Sequence, residues 1–296
     1  MAEITAQLVK QLREKTGAGM MECKNALVEA KGDLAEAEVV LRKRGLASAA
    51  KKASRSAKQG LIGVYTEESK GVLIEVNCES DFVARTEEFQ GMVASLAKLA
   101  ADKEPADLAA FLSLPVDESP SVEELLKAKI AKIGENMMVP RVALHKAAGV
   151  VGSYVHPGAQ LSVLVDVTIK NPATADKPEF KELLHDIAMQ VAAADPKFLN
   201  KEQVTPEFLE REKDIQRARA LAEGKPEKIV DKVVEGRMSK YYEEVCLLEQ
   251  PFIKENSLTI NQLLAEKSKA LGDEIGIAAY YRFKVGETAS GEEATE

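Results

Sequence analysis

Cysteine is scarce in this chain: Cys23, Cys78 and Cys246 are odd in number, far apart and never in a paired spacing. That argues against a disulfide framework and a thiolate zinc site, and it fits a reducing cytoplasm in which each thiol is a small buried hydrophobe. Histidine is equally sparse. His145 and His185 read as surface or packing residues, whereas His156, in a tight turn before Pro157 and Gly158, is a candidate for a functional contact; the three have no local metal-ligand spacing. No apolar run approaches the roughly 20 residues that a membrane helix needs. The start Met1, Ala2, Glu3, Ile4, Thr5 has neither the basic stretch nor the apolar core of a secretory signal, so export is not expected. Also missing are a phosphate-cradling glycine loop, a zinc-protease helix signature and a nucleophile elbow. Glu67 with Glu68, and Asp273 with Glu274, read as solvated turns rather than acid-base pairs, and no sequence neighbour of Cys78 supplies a base. Together these absences favour an interaction protein over an enzyme.

What is present is ordinary globular material, 45% hydrophobic and 30% charged over 296 residues, long enough for two or three modest cores. A net charge of -8 disfavours a broad grip on nucleic acid. The first sixty residues nonetheless carry a basic excess from Arg42, Lys43, Arg44, Lys51, Lys52, Arg55 and Lys58. It reads as a solvated linker, a contact for an acidic protein surface, or, last, an RNA contact.

Ile4, Leu8 and Leu12 recur at helical spacing; Gly17 and Gly19 break the pattern before Met20, Met21, Cys23, Leu27 and Val28 restart it. Asp33 with Glu36 forms a capping-box pattern for a third helix, with Val39, Val40 and Leu41 on its apolar face and Gly45 as its stop. Adjacent Met20 and Met21 cannot both point inward, so one is expected to face out, either to dock a partner beside Leu12 or as a fraying turn folded over the core. Residues from Ala47 to Gly60 read as a linker or weakly packed helix.

Two strand pairs follow. Leu61 to Tyr65 and Gly71 to Val76 flank the turn Glu67 to Lys70; Val151 to Val155 and Leu161 to Val167 flank His156, Pro157 and Gly158. Setting Gly63 over Gly152 places Val72, Ile74 and Val76 over Leu161, Val163 and Val165 at a constant offset of 89 residues. The helices behind them, through Phe89, Met92, Val93 and Leu96 and through Phe180, Leu183, Leu184 and Ile187, match at 91. The expectation is an internal repeat of antiparallel sheet plus helix. Between the copies, Ala100 to Pro120 is rich in Ala, Pro and acids; a helix through Val122, Leu126 and Ile130 ends at Gly134, and a strand carries Pro140 at an edge or bulge. Later, Thr205 to Tyr242 reads as a charged helical hairpin, Thr259 with Gln262 starts another helix, Ile275 to Phe283 is a closing strand, and Gly286 to Glu296 is a polar tail.

Asp81 and Phe82 stand at the junction of the apolar run Val72 to Val76 with the next helix. A core ring could explain Phe82, but Asp81 cannot share its dry pocket without a partner. The pair reads either as a helix start with one buried foot or as a wedge presented to another molecule.

The stretches Thr16 to Leu27, Asn77 to Arg85, Lys132 to Asn136, Val234 to Met238 and Gln250 to Phe252 closely resemble the elongation factor Ts family, across almost the full length. That resemblance implies an α+β fold: a three-helix ubiquitin-associated-like domain, then a duplicated antiparallel sheet-plus-helix core with an inserted helical hairpin. It implies boundaries of 1–55 for a docking domain and linker, 56–140 and 141–286 for the two core subdomains, about 200–240 for the hairpin, and 287–296 for a flexible tail. The implied activity is guanine nucleotide exchange on cytoplasmic elongation factor Tu, without covalent chemistry or a cofactor of the chain's own; the partner carries GDP or GTP and Mg. Asp81 and Phe82 become the exchange wedge, flanked by Ser80 and Val83; Leu12, Met20 and Met21 a docking patch; His156 a second core contact; and Val234 and Met238 part of the hairpin contact. A homodimer or 2:2 complex is a further implication, with no membrane contact and no direct nucleic-acid role.

Two positions depart from the family pattern. Ser80 replaces the usual threonine and keeps the capping hydroxyl. Pro140 precedes a single Arg141 where many relatives carry two arginines, which weakens the case for a basic contact there. The rival readings from the residues are a ribosome- or RNA-associated binding module using Arg42 to Lys58, and a small-molecule enzyme using Cys78 or His156.

Overall fold

The structure is a computed structural model that describes residues 4–290 other than Glu68 and Glu118. It is a mixed α+β protein with two compact units, one formed by Met1–Gly63, Ile74–Ala143 and Lys284–Glu296, the other by Val64–Leu73 and Leu144–Phe283.

The first unit begins with three helices, α1 (Ala6–Thr16), α2 (Met20–Glu29) and α3 (Leu34–Lys52). Thr5 caps α1 by accepting from the Leu8 N–H, and Gly17 ends it in the left-handed conformation at φ 66°, which glycine adopts without a Cβ clash. The Glu22 carboxylate accepts from the Gly19 N–H at 3.1 Å and starts α2. Asp33 caps α3 through the Glu36 N–H at 3.0 Å, but the reciprocal half of the expected capping box is replaced, since the Asp33 N–H donates to Ala30 O. Val9, Leu12, Cys23, Ala26, Leu27 and Ala37 form the small core.

The stop expected at Gly45 does not occur, and the stretch that reads as a linker or weakly packed helix begins as helix: α3 continues to Lys52. The reason is tertiary. Helix α7 (Val122–Ile133) packs along α3, and a Cβ at Gly45 would lie only 3.1 Å from that of Ala131. Close approach compensates the roughly 1 kcal/mol that a helical glycine costs. Lys52 Nζ donates to Ile130 O at 3.4 Å, and Arg42 pairs with Glu124 at 3.5 Å.

Strands β1 (Gln59–Glu67), β2 (Lys70–Cys78) and β3 (Met137–Lys146) form one sheet in the order β1-β2-β3, leaving Pro140 on an outer strand where its missing N–H is tolerated. The short helix α4 (Asp81–Ala84) and the long α5 (Glu87–Lys103) follow β2. The Ala- and Pro-rich stretch after α5 hides one further short helix, α6 (Leu108–Leu112), capped by Asp107. Gly134, at φ 90°, ends α7.

In the second unit β4 (Val150–Val155) pairs antiparallel with β5 (Leu161–Thr168), Gly152 facing Val165, and β8 (Gly276–Lys284) completes the order β4-β5-β8. Helix α8 (Pro178–Ala194) covers the sheet, burying Phe180, Leu183, Ile187 and Val191 against Val163, Val165 and Val167. Glycine marks both crossings. A Cβ at Gly63 would meet Ile74 and Val93 at 2.8 Å, and one at Gly152 would meet Val165 and Leu184 at 3.1 Å. Each glycine is thus met by one residue of the neighbouring strand and one of a helix.

The helical arm is α9 (Pro206–Ala222) and α10 (Glu227–Val245), sealed along Ala220, Val230, Val234 and Met238. The pair β6 (Pro251–Phe252) and β7 (Glu255–Thr259) leads into α11 (Ile260–Leu271), where Thr259 and Gln262 complete a reciprocal capping box. The tail is tied down at its start: the Gly286 N–H donates to Glu75 at 2.7 Å, and Glu287 accepts from Arg141 at 3.3 Å. Residues 291–296 lie outside the described residues.

Candidate functional site

Strand β2 is buried along almost its whole length and delivers the chain abruptly to the surface at Glu79. Ser80 then stays extended (φ -120°, ψ 153°), and its Oγ accepts from the Val83 N–H at 3.3 Å, starting α4. Thr86 closes the turn and caps α5 through the Phe89 N–H at 3.2 Å. Between these caps Ala84 is the buried foot, while the Phe82 ring is 79% exposed. The pair stands at a helix start, as one reading of the sequence has it, but the buried foot is Ala84 rather than Phe82, whose ring faces solvent. The Asp81 carboxylate pairs with Arg85 at 2.9 Å in a largely exposed bridge that is readily exchanged for another donor.

The base of this tip is held from 55 residues away. Gly134 turns the chain out of α7, and Glu135 Oε2 accepts from the Ser80 N–H at 3.0 Å while its Oε1 accepts from the Ser80 hydroxyl at 2.6 Å. Next along, the Asn136 N–H donates to Glu79 at 2.6 Å, and its Nδ2 donates to Arg55 O at 2.8 Å and Ala53 O at 3.4 Å. Neither role was visible in the local pattern of the Gly134, Glu135, Asn136 stretch, because the partners are remote in sequence. Below them Cys78 donates to Ser80 O at 3.1 Å; burial, reinforced by the negative charge of Glu135, pushes its thiol up to about 12. It is not a nucleophile at neutral pH.

Met20 and Met21, of which one was expected to face out, both face solvent at 60% and 65% exposure. They occupy the first turn of α2, whose core contacts come from Cys23, Ala26 and Leu27 further along. Leu12 differs from its expected role as a contact residue: it is wholly buried in the small core with Cys23, Ala26 and Leu27 of α2. Val234 and Met238 are likewise buried in the seam of the hairpin, so their side chains hold α9 to α10. Phe208, Ile215, Leu221 and Ile229 are the large apolar residues that the hairpin exposes.

In the second unit His156 sits in the turn after β4, with its N–H on Leu161 O at 2.9 Å and its Nδ1 3.1 Å from the Tyr154 hydroxyl. His145 is a packing residue, 2.8 Å from buried Asp166 and 3.2 Å from the Tyr281 hydroxyl. Arg141 turns inward: its Nε donates to the fully buried Glu75 at 2.8 Å. In the basic stretch, Arg42, Arg44 and Arg55 pair with Glu124, Glu29 and Glu79. Among the described residues no cluster of three or more His, Cys, Asp or Glu could hold a metal ion, and no helix is long and apolar enough to cross a membrane.

The profile of the family described as Elongation factor TS matches residues 79–287, beginning at the carboxylate that holds Asn136. The chain belongs to this family. Elongation factor Ts of Solibacter usitatus is 47% identical over 298 residues, spanning 100% of this chain and 98% of its own length. The Clostridium perfringens (strain SM101) protein of the same name is 47% identical over 287 residues, covering 96% of this chain and 93% of itself. That of Chloroherpeton thalassium is 45% identical over 293 residues, with 97% and 100% covered. Likeness to the family thus reaches the helical module of Met20 and Met21 as well as the region that the profile matches.

Proposed function

We infer that this chain is a guanine nucleotide exchange factor that binds elongation factor Tu in its GDP form and promotes GDP release during translation elongation. Membership of the family supplies the reaction and the partner. The observation that carries the mechanism is the Phe82 ring, exposed on a four-residue helix fixed at both ends. A large ring held in water forfeits burial worth roughly 2–3 kcal/mol, and that free energy becomes available when another surface covers it.

The partner holds its nucleotide through phosphates and Mg, whose mutual attraction makes spontaneous release slow. Met20 and Met21 dock the chain, with Leu12 supporting them, and Phe82 enters an apolar cleft of the GTPase. Its entry shifts the elements that support Mg and the phosphate loop. Asp81, released from Arg85, accepts hydrogen bonds from the displaced segment, aided by Ser80 and Val83. His156 adds a contact from the second unit, and the hairpin of Val234 and Met238 a further one; its exposed apolar residues also offer a surface for a second copy. No covalent bond changes, and the chain binds neither nucleotide nor Mg itself.

In this reading residues 1–55 are the docking module, ubiquitin-associated-like in its three helices, followed by core halves 56–140 and 141–286. The matching positions of Gly63 and Gly152 under their helices support a duplicated origin for those halves. Binding is reciprocal: a chain that weakens GDP affinity a hundredfold, about 3 kcal/mol of coupling, is itself weakened a hundredfold by GDP. Stopped-flow release of fluorescent GDP from elongation factor Tu, with and without the chain, tests the reading. Substoichiometric acceleration is expected; release at the spontaneous rate overturns it.

A further inference from the structure

A helix of four residues cannot hold its own shape, since it barely exceeds the cost of its first turn. Phe82 contributes little to holding it, being mostly in water. The direction in which the ring points is therefore set by the anchors of α4, and the strongest of these is remote in sequence. We propose that Glu135 is the positioning residue of the exchange wedge, acting on Phe82 through Ser80.

The argument rests on what one serine hydroxyl can do. Ser80 Oγ has one proton to give and lone pairs to offer, and the cap on α4 requires a lone pair aimed at the Val83 N–H. Glu135 takes that proton at 2.6 Å and takes the Ser80 backbone N–H at 3.0 Å with its other oxygen. Both bonds are charge-assisted, and together they fix the side-chain rotamer and the peptide plane that start the helix. Without the carboxylate the hydroxyl proton loses this acceptor and the extended peptide at Ser80 loses its tie.

Glu135 is itself held in place. It follows the left-handed turn at Gly134 that ends α7, and its neighbour Asn136 grips Glu79 on one side and the carbonyls of Ala53 and Arg55 on the other. Those carbonyls belong to the C-cap of α3 and the turn just beyond it, and α3, the third helix of the module of Met20 and Met21, packs along α7. A single corner thus fastens the root of the wedge to the frame that carries the docking patch, so that binding at the patch presents a ring already aimed rather than one that must be ordered on contact.

This proposal deepens the wedge reading of Phe82 and depends on it. The test is stopped-flow GDP release from elongation factor Tu at varied concentrations of the full chain, for Glu135→Ala, Glu135→Gln, Phe82→Ala and the double variant Phe82→Ala/Glu135→Ala. Glu135→Ala is expected to lower the maximal release rate at least tenfold while the half-saturating concentration changes less than about twofold. Glu135→Gln, which keeps one acceptor oxygen, falls between it and the parent. The double variant is no slower than Phe82→Ala alone, because a residue that works through the ring has nothing left to position. Multiplied losses in the double variant, an unchanged rate in Glu135→Ala, or a loss confined to half-saturation each overturn the assignment. Should Glu135→Ala lose its cooperative melt, Ser80→Ala, which leaves the backbone bond to Glu135, must show the same rate loss and the same non-additivity. A parental rate in Phe82→Ala would instead refute the wedge reading itself.

Discussion

Replacing Phe82 by alanine separates a displayed ring from a packed one, because the two roles predict opposite balances between stability and exchange. About a fifth of the residue is covered in the free protein, the rest being the 79% in solvent. For a ring of about 150–250 Å², that is roughly 30–50 Å² withdrawn from water, or about 1 kcal/mol at ~25 cal/mol per Å². Alanine is also the better helix former, by up to about 0.5 kcal/mol, which offsets part of the loss. The expected change in stability is therefore below about 1 kcal/mol, a shift in melting temperature of only a few degrees for a protein of this size. Interface anchors, by contrast, commonly exceed about 2 kcal/mol on truncation, equivalent to roughly thirtyfold. Phe82→Ala should accordingly slow catalysed GDP release by about thirtyfold, with circular dichroism and the thermal melt almost unchanged. A variant that releases GDP within twofold of the parent, or that melts more than about ten degrees lower, would refute the reasoning.

Met20→Ala/Met21→Ala should raise the half-saturating concentration in the same assay and leave the maximal rate intact, since both side chains lie outside the core; a rate loss at saturation would contradict their docking role. Arg141→Ala strands the carboxylate of Glu75 in the interior and should destabilise the chain by about 3–5 kcal/mol in urea, whereas a loss below 1 kcal/mol would show that Glu75 finds another partner. Cys78, its thiol pushed up to about 12 by burial, should resist thiol reagents at pH 8 until the chain is unfolded; rapid native labelling would place it at the surface. Hydrogen bonds from Lys129 and Lys132 hold Glu88 below its ordinary value, so its contribution is present above the unfolded value near pH ~4.3 and is lost as pH falls through the lower folded one. The stability gap between parent and Glu88→Gln, under about 1 kcal/mol at pH 7 because the carboxylate is 38% exposed, should narrow as the pH falls below the unfolded value.

Local chemistry was legible wherever its partners lie within a turn or two. The hairpin of α9 and α10, the caps at Thr205 and Thr259, the stop at Gly134 and the strands through Ile74 and Val165 all follow from side-chain periodicity and backbone preference, which act over a few residues. Family likeness was legible too, because it resides in the order of residues. Gly45 shows the limit. Read alone it ends a helix; packed against Ala131 it lets two helices approach, and no window short of the 86 residues between them contains that fact.

The sequence by itself determined most of the elements, the family and the unusual placement of Phe82 beside Asp81. Tertiary structure alone decided that this ring faces water, that both methionines of α2 do so while Leu12 does not, and that Glu135 and Asn136 hold Ser80 and Glu79 at the start of α4. Exposure and long-range hydrogen bonding depend on which surfaces meet after the chain has folded, and the bonds of Glu135 and Asn136 join residues separated by more than fifty positions.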